Sequence, residues 1–402
     1  MRDILHCDLN NFYASCECLV NPDLKDKAVA VGGSPEDRHG VIVAANYKAK
    51  SFGVKCGVTV YQALKLCPDV VICPPNFKLY NEMSRKVRAI YEQYTDQVEV
   101  FSIDECWLDV THSRMFGTPL QIANTIRERV KSETGLTISV GVSFNKTFAK
   151  IGSDLKKPDA TTEISIHNYR DIVWKLPVGD MFGIGKQTKN KLFKMGITTI
   201  GDLAKFSKQI LVNQFGKSGE MMYNHANGID NDLVAYISDT TQPKSIGNST
   251  TFYKDLTDRK DIELGFTVIA ESVAARMIKH HIPCAKTLSI VVKDGELNVY
   301  QKQCQLSPPC CDSTIFTQTA VSMFNKNFGH LAGIRLLGIT VSEWCDDSSQ
   351  LNMFEPNKKC KSIDDIMLKI RNKYGLQSIK KGNTLLDDKI AKTFVNEHLD
   401  KN

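Results

Sequence analysis

No apolar run in this 402-residue chain is long and unbroken enough to cross a membrane. The N-terminus, Met1-Arg2-Asp3-Ile4-Leu5-His6-Cys7-Asp8, has an acid too early and an apolar stretch too short for a secretory leader. A cytoplasmic protein without a membrane partner is expected. Cysteine is plentiful, at 13 residues, but no Cys-x-x-Cys unit occurs, which argues against a zinc ribbon. Cys16/Cys18 and Cys310/Cys311 lie too close for ordinary disulfides within each pair, so the cysteines read as reduced, small apolar side chains. There is no internal repeat. The formal charge of +6 is compatible with a polyanionic partner without singling one out.

What is present is a chain too long for one ordinary core, with a normal apolar fraction of 42%. A strand is expected over Ile4–Leu9, running straight into Asn10-Asn11-Phe12-Tyr13. Short β-rich runs follow at Ala28–Val31 and Val41–Ala45, with turn chemistry in Gly32-Gly33-Ser34-Pro35 between them. Helices are expected over Lys78–Tyr94 and Leu120–Glu133, the second stopped by Gly135. Val98–Val110 is β-rich but broken by Asp104-Glu105. Thr137–Val142 reads as a strand and Lys146–Leu155 as a helix. That order fits an α+β unit with a split βαβ core and an insertion after its first strand. A helical unit begins near Val178. The polar stretch Ile237–Ser245 reads as a linker, and Lys244–Trp344 as a second α/β unit with strands Thr287–Val292 and Leu336–Val341 and a helix Ile262–His280. The tail after Asp346 is charged and expected to be mobile.

Three carboxylates stand out. Asp8 ends a strand so apolar that both its faces must be buried, and a carboxylate there needs a strong partner. Asp104 and Glu105 are neighbours inside Phe101-Ser102-Ile103-Asp104-Glu105-Cys106-Trp107-Leu108. In a straight strand their side chains would point to opposite faces, so both serve one site only at a hairpin turn or bulge. Three clustered acids repel unless cations sit between them, and hard oxygen ligands suit Mg²⁺. Two such ions about 4 Å apart stabilise the attacking and leaving oxygens of phosphoryl transfer.

The string Asp8-Leu9-Asn10-Asn11-Phe12-Tyr13-Ala14-Ser15, with Ser102-Ile103-Asp104-Glu105, closely resembles the Y-family of translesion DNA polymerases, of the bacterial type found in Gram-positive organisms. Asn46–Val54, Ser143–Lys150, Lys156-Lys157-Pro158-Asp159 and Lys244-Ser245-Ile246-Gly247 match in family order. The resemblance implies a multidomain α+β right hand. Its palm would be residues 1–10 and 75–165, its small fingers 11–74, its helical thumb 166–236, a linker 237–243, an α/β little finger 244–345 and a charged tail 346–402. It implies low-fidelity, template-directed DNA synthesis past lesions by two-metal nucleotidyl transfer, with no proofreading exonuclease. The substrates would be primer–template DNA and deoxynucleoside triphosphates, and the enzyme a monomer using two Mg²⁺ ions.

Residue by residue, Asp8, Asp104 and Glu105 match the metal-binding carboxylates, with the Leu9 carbonyl a further ligand and Glu105 catalytic. Asn11, Phe12, Tyr13, Tyr47, Lys50 and Lys157 match nucleotide-binding positions. Lys50 stands where the family often has arginine, and a lysine offers a point charge in place of a bidentate fork. Ala44 replaces a frequent phosphate-binding threonine. Asn10 replaces an acid found in other members, so position 10 is not an obligatory ligand. Tyr13 matches the steric gate, whose ring leaves no room for a ribose 2′-hydroxyl.

Phe182-Gly183-Ile184-Gly185-Lys186-Gln187-Thr188 looks like a helix–hairpin–helix, with Gly183, Gly185, Lys186 and Thr188 placed to hold a DNA phosphate irrespective of base sequence. It lacks the third glycine of a dinucleotide fingerprint. Gln350-Leu351-Asn352-Met353-Phe354 resembles the peptide with which bacterial polymerases bind the sliding clamp, through Gln350, Leu351, Met353 and Phe354. A nucleotide cyclase would need neither the hairpin nor a little finger, and a non-catalytic DNA-binding adaptor would lack one or more of the three acids.

Overall fold

The computed structural model describes residues 2–33, 40–239, 242–345, 363–375, 378–382 and 390. The chain packs as two units, one of residues 1–33 with 41–240 and one of 241–402 with 34–40.

The first unit begins with β1 (Ile4–Leu9), α1 (Phe12–Val20), β2 (Val29–Gly32), β3 (Ile42–Ala45), α2 (Tyr47–Ser51), α3 (Val60–Leu66) and β4 (Val71–Cys73). There follow α4 (Phe77–Tyr91), β5 (Val98–Val100), β6 (Glu105–Asp109), α5 (Pro119–Thr134), β7 (Ile138–Ser143), α6 (Lys146–Leu155) and β8 (Thr161–Ile164). Local chemistry sets several boundaries. Thr118 and Gln121 close a capping box at the start of α5, Pro119 occupies its first turn, and Gly135 ends it in the left-handed conformation at φ 73°. Asn145 caps α6 by accepting from the Phe148 N–H at 2.8 Å.

The main sheet runs β5-β6-β1-β7-β8, with β1 central and antiparallel to both neighbours. Alternation along β1 sends Leu5, Cys7 and Leu9 to one face, where they join Leu108, Val140, Val142 and the inner sides of α4 and α5 in one apolar core. Ile4, His6 and Asp8 go to the other face, which α6 covers. Gly141 lets α6 approach: a Cβ there would lie 1.8 Å from the Ala149 carbonyl oxygen. A smaller sheet, β3-β2-β4, has its own core of Ala30, Ile42, Val60 and Ala63.

A helical bundle completes this unit: α7 (Tyr169–Ile172), α8 (Lys186–Lys194), α9 (Ile200–Lys205), α10 (Lys208–Phe215) and α11 (Lys217–Ala226). The chain leaving the bundle is strapped to the sheet. Asn145 donates to the Gly228 carbonyl at 3.0 Å, Thr147 donates to Asp230 through its hydroxyl at 2.8 Å, and Val234 is buried with Ile4 and Trp107.

The second unit contains β9 (Ser245–Leu256), α12 (Arg259–Lys279), β10 (Cys284–Asp294), β11 (Val299–Cys310), α13 (Ser313–Phe328) and β12 (Ile334–Cys345). Its sheet is antiparallel in the order β11-β10-β12-β9, and both long helices share one core with it. The tail departs from its expected mobility. Residues Ile363–Tyr374 form α14, in which Met367 and Asp364 are buried. Asp364 accepts from the Ser313 N–H at 2.9 Å, and Arg371 pairs with the buried Glu271 at 2.9 Å. A charged segment docks here because its buried charges are paired.

Candidate active site

Asp8 and Glu105 face each other across the β1–β6 ladder. Asp104 lies in the turn between β5 and β6, the break that neighbouring acids require to serve one site. The turn is held firmly. The N–H groups of Phe101 and Ser102 both donate to the Glu105 carbonyl, at 3.0 and 3.2 Å, and the Ser84 hydroxyl of α4 donates to the Ile103 carbonyl at 2.5 Å. The Leu9 N–H donates to the Asp104 carbonyl at 3.0 Å, fastening the turn to the end of β1. The Ser102 hydroxyl orients the Asp104 carboxylate at 2.6 Å.

Both acids of the ladder pair with ammonium groups. Lys157 meets Asp8 at 2.8 Å, and Lys150 of α6 meets Glu105. Burial dominates at Asp8 and raises its pKa to about 6 in spite of Lys157. At Lys157 burial works downward, but the attraction of Asp8 outweighs it and the pKa rises. The two partners thus respond unequally, because Asp8 is 7% exposed and its lysine reaches toward solvent. At Glu105 burial works upward, yet the Lys150 ammonium holds the pKa below the usual carboxylate range. His6 is fully buried. Its Nδ1 bonds Ser153 Oγ at 2.8 Å, and since that hydroxyl donates to the Lys150 carbonyl, Nδ1 is assigned as the donor. His6 Nε2 is left 3.5 Å from Glu105, too long for a strong hydrogen bond.

This donor set suits a hard divalent cation: carboxylate oxygens at the open end of a sheet, already holding two cationic groups. Among the described residues, no three His, Cys, Asp or Glu side chains are closed into a metal-ligand cage. The acids share the sheet end, with Asp8 and Glu105 each turned to a lysine.

Around them, Lys50 donates to Asn11 Oδ1 at 2.5 Å and lies 5.2 Å from the Tyr47 ring centre. Burial and the nearby Lys157 lower the Lys50 pKa. Tyr47 opens α2, whose cap Asn46 also accepts from the Val29 N–H at 3.1 Å and so ties α2 to β2. Asn10 turns away from the acids. It donates to Ser139 at 3.0 Å and accepts from the Asp159 N–H at 2.9 Å. Ala44 packs on the apolar core.

Phe12 is buried, while Tyr13 is half-buried, stacked on Tyr80 at 4.3 Å with 12° between planes, and flanked edge-on by Phe77. Burial and the Asp104 charge raise the Tyr13 hydroxyl pKa. Tyr80 hydrogen-bonds Glu17. Sequence reasoning missed Tyr80 and Phe77, although aromatic residues three apart on one helix were the available signal. It also gave no role to His6 or Lys150, both of which point at Glu105.

In the bundle, Gly183 has φ 85° and Gly185 caps α8. A Cβ on Gly185 would meet nothing within 4 Å, so packing does not demand glycine there and the loop backbone stays open to an approaching group. Lys186, Lys191 and Lys194 are exposed and Thr188 half-buried. Gln350, Leu351, Met353 and Phe354 lie outside the described residues.

Residues 7–154 match the impB/mucB/samB family, 243–353 the C-terminal domain of that family, and 179–230 the DNA polymerase-iota thumb domain. The chain is 44% identical over 392 residues to the DNA polymerase IV of Acetivibrio thermocellus, covering 96% of this chain and 98% of that one. It is 36% identical over 389 residues to DNA polymerase IV 1 of Bacillus subtilis, covering 96% and 93%. A solved Y-family DNA polymerase chimera superposes with a TM-score of 0.75 at 22% identity, over 85% of this chain and 99% of that one.

Proposed function

The chain belongs to the Y-family of DNA polymerases, in its bacterial DNA polymerase IV branch, and we propose that Asp8, Asp104 and Glu105, with the Leu9 carbonyl, form its catalytic centre. It is a DNA-directed DNA polymerase that performs translesion synthesis on a divalent-metal-dependent right-hand fold. The observation that carries the site is the pairing of Asp8 with Glu105 across β1 and β6, beside the turn that brings in Asp104. Two Mg²⁺ ions bound there would stabilise the attacking primer oxygen and the leaving pyrophosphate oxygen. Lys50, Lys157 and Tyr47 receive the triphosphate, and Asn11 and Phe12 line its path. Tyr13, braced by Tyr80, excludes a 2′-hydroxyl. Gly183, Gly185, Lys186 and Thr188 grip a DNA phosphate. On this reading palm, fingers, thumb and little finger are residues 1–10 with 75–165, 11–74, 166–236 and 244–345. The enzyme works as a cytoplasmic monomer that Gln350, Leu351, Met353 and Phe354 recruit to the sliding clamp.

Primer extension tests the centre. Asp104→Ala loses several kcal/mol of transition-state stabilisation, on the order of a thousandfold in rate, while keeping DNA affinity. Near-normal extension by this variant overturns the assignment. Tyr13→Ala raises the ratio of ribonucleotide to deoxyribonucleotide insertion, and an unchanged ratio reduces Tyr13 to a packing residue. Leu351→Ala with Phe354→Ala abolishes binding to purified clamp and spares synthesis on short primers. Normal clamp binding by that variant removes the motif.

A further inference from the structure

Three aromatic rings meet where the helical bundle touches the main sheet. Phe182, the residue before Gly183, lies edge-on to Phe101 at 5.6 Å and to Trp107 at 6.1 Å. Phe101 and Phe182 remain 48% and 37% exposed, so these rings press on each other at the surface and are not sunk in a core. Lys150 threads between them, its ammonium 5.1 Å from the centre of Phe101 and 5.8 Å from that of Phe182. The same ammonium pairs with Glu105. Ring faces carry negative charge density, so two of them and a carboxylate fix this lysine from several sides.

The arrangement joins two loops with different tasks. Phe101 belongs to the turn that carries Asp104, and its N–H donates to the Glu105 carbonyl at 3.0 Å. Phe182 belongs to the loop whose glycines and Lys186 face solvent. Moving that loop withdraws one ring from Lys150 and from Phe101, and both of these touch Glu105. We propose that Phe182, Phe101 and Lys150 form a latch through which the phosphate-gripping hairpin sets the position of Glu105, making Phe182 a positioning residue for nucleotide transfer. The inference rests on the reading of Asp104 and Glu105 as the catalytic centre and of Gly183–Thr188 as the DNA grip.

The test uses the full chain and compares wild type with Phe182→Ala, Phe101→Ala, the double variant, Phe182→Tyr and Phe182→Leu. Single-turnover insertion is measured at saturating primer–template and nucleotide. Nucleotide affinity is read on a dideoxy-terminated primer, which cannot react, alongside DNA affinity and melting temperature. Each alanine variant slows insertion by about tenfold, the combined scale of an aromatic pair and a cation–π contact, with nucleotide affinity and melting temperature unchanged. The double variant is no slower than either single, because both remove one device. Phe182→Tyr restores the rate and Phe182→Leu does not. The latch is overturned if saturated insertion is unchanged and only DNA affinity falls, which makes Phe182 an anchor for the bundle. Multiplicative losses in the double variant, or rescue by leucine equal to that by tyrosine, overturn it as well. Extension by Asp104→Ala marks failure of the underlying site. A dead Asp104→Ala beside a Phe182→Ala that inserts like wild type marks failure of the latch alone.

Discussion

The two faces of the five-stranded sheet are made by alternate residues of the same strands and carry opposite chemistry. Under α4 and α5 lie Leu5, Cys7, Leu9, Leu108, Val140 and Val142, all apolar and all buried. Under and beside α6 lie His6, Asp8, Glu105 and Trp107, three of them titratable. The apolar face stabilises: a fully buried aliphatic side chain contributes about 1.5–3 kcal/mol. The polar face costs stability, because Asp8 is desolvated and only partly compensated by Lys157. One face holds the sheet together so that the other can hold charge at its end.

The largest effect should come from uncoupling those roles at Asp8. Asp8→Asn removes a buried charge and keeps its shape, so with chelator present it melts no lower than wild type, while with Mg²⁺ supplied its insertion falls on the order of a thousandfold. Its counterpart on the other face, Leu108→Ala, loses about 2–5 kcal/mol of stability yet inserts normally per folded molecule. Melting curves and active-site-titrated rates check both. If the asparagine variant is strongly destabilised, the polar face is structural and the contrast fails.

Part of this contrast was legible in the sequence, because a carboxylate ending an apolar strand needs a partner and because adjacent acids cannot share a face without a turn. Ile4–Leu9 and Lys146–Leu155 have the bounds read from pattern alone. What stayed hidden depends on contacts between distant segments. Tyr13 meets Tyr80 only because α1 and α4 pack together. Strand β11 has one buried residue, Leu306, so it carries no alternation to read. The helix α14 looked like a solvated tail because its burial rests on the Arg371–Glu271 ion pair and on a hydrogen bond from the Ser313 hydroxyl to Asp364, which composition does not reveal.

A second break is steric. Gly141 sits on the polar face beneath α6, where a methyl group would meet the Ala149 carbonyl at 1.8 Å and the Ser153 N–H at 2.6 Å, both unyielding backbone. Gly141→Ala must lift the helix that bears Lys150 and Ser153. Overpacking in a tight core costs about 1–3 kcal/mol or more, or roughly 2–4 °C of melting temperature per kcal/mol in a domain of this size. Insertion by the folded fraction should fall too, since Lys150 moves from Glu105. A variant that melts and inserts like wild type would mean that α6 is not fixed by this contact.

The smallest effect lies at the rim where the two faces meet. Asp159 pairs with Arg127 at 2.6 Å and Lys131 at 2.8 Å, both on α5, while its N–H donates to Asn10. It therefore staples a helix of the apolar face to the loop that carries Lys157. Its φ of 52° is left-handed, a conformation asparagine tolerates, so Asp159→Asn removes the charge without straining the backbone. Burial works to raise the Asp159 pKa, but Lys131 and Arg127 outweigh it and the net shift is downward. A carboxylate held below its unfolded value stabilises the fold above that value, about 3.9, and loses the contribution as pH falls through its folded pKa. Partly exposed pairs are worth about 1 kcal/mol at most, so Asp159→Asn should melt about 2–4 °C lower at pH 7. The gap should narrow as pH is lowered below about 4 and shrink in high salt. Equal melting of the two proteins at pH 7 would show that Asp159 acts through its backbone bond to Asn10, which asparagine keeps, and that the charges of α5 play no part in holding the two faces together.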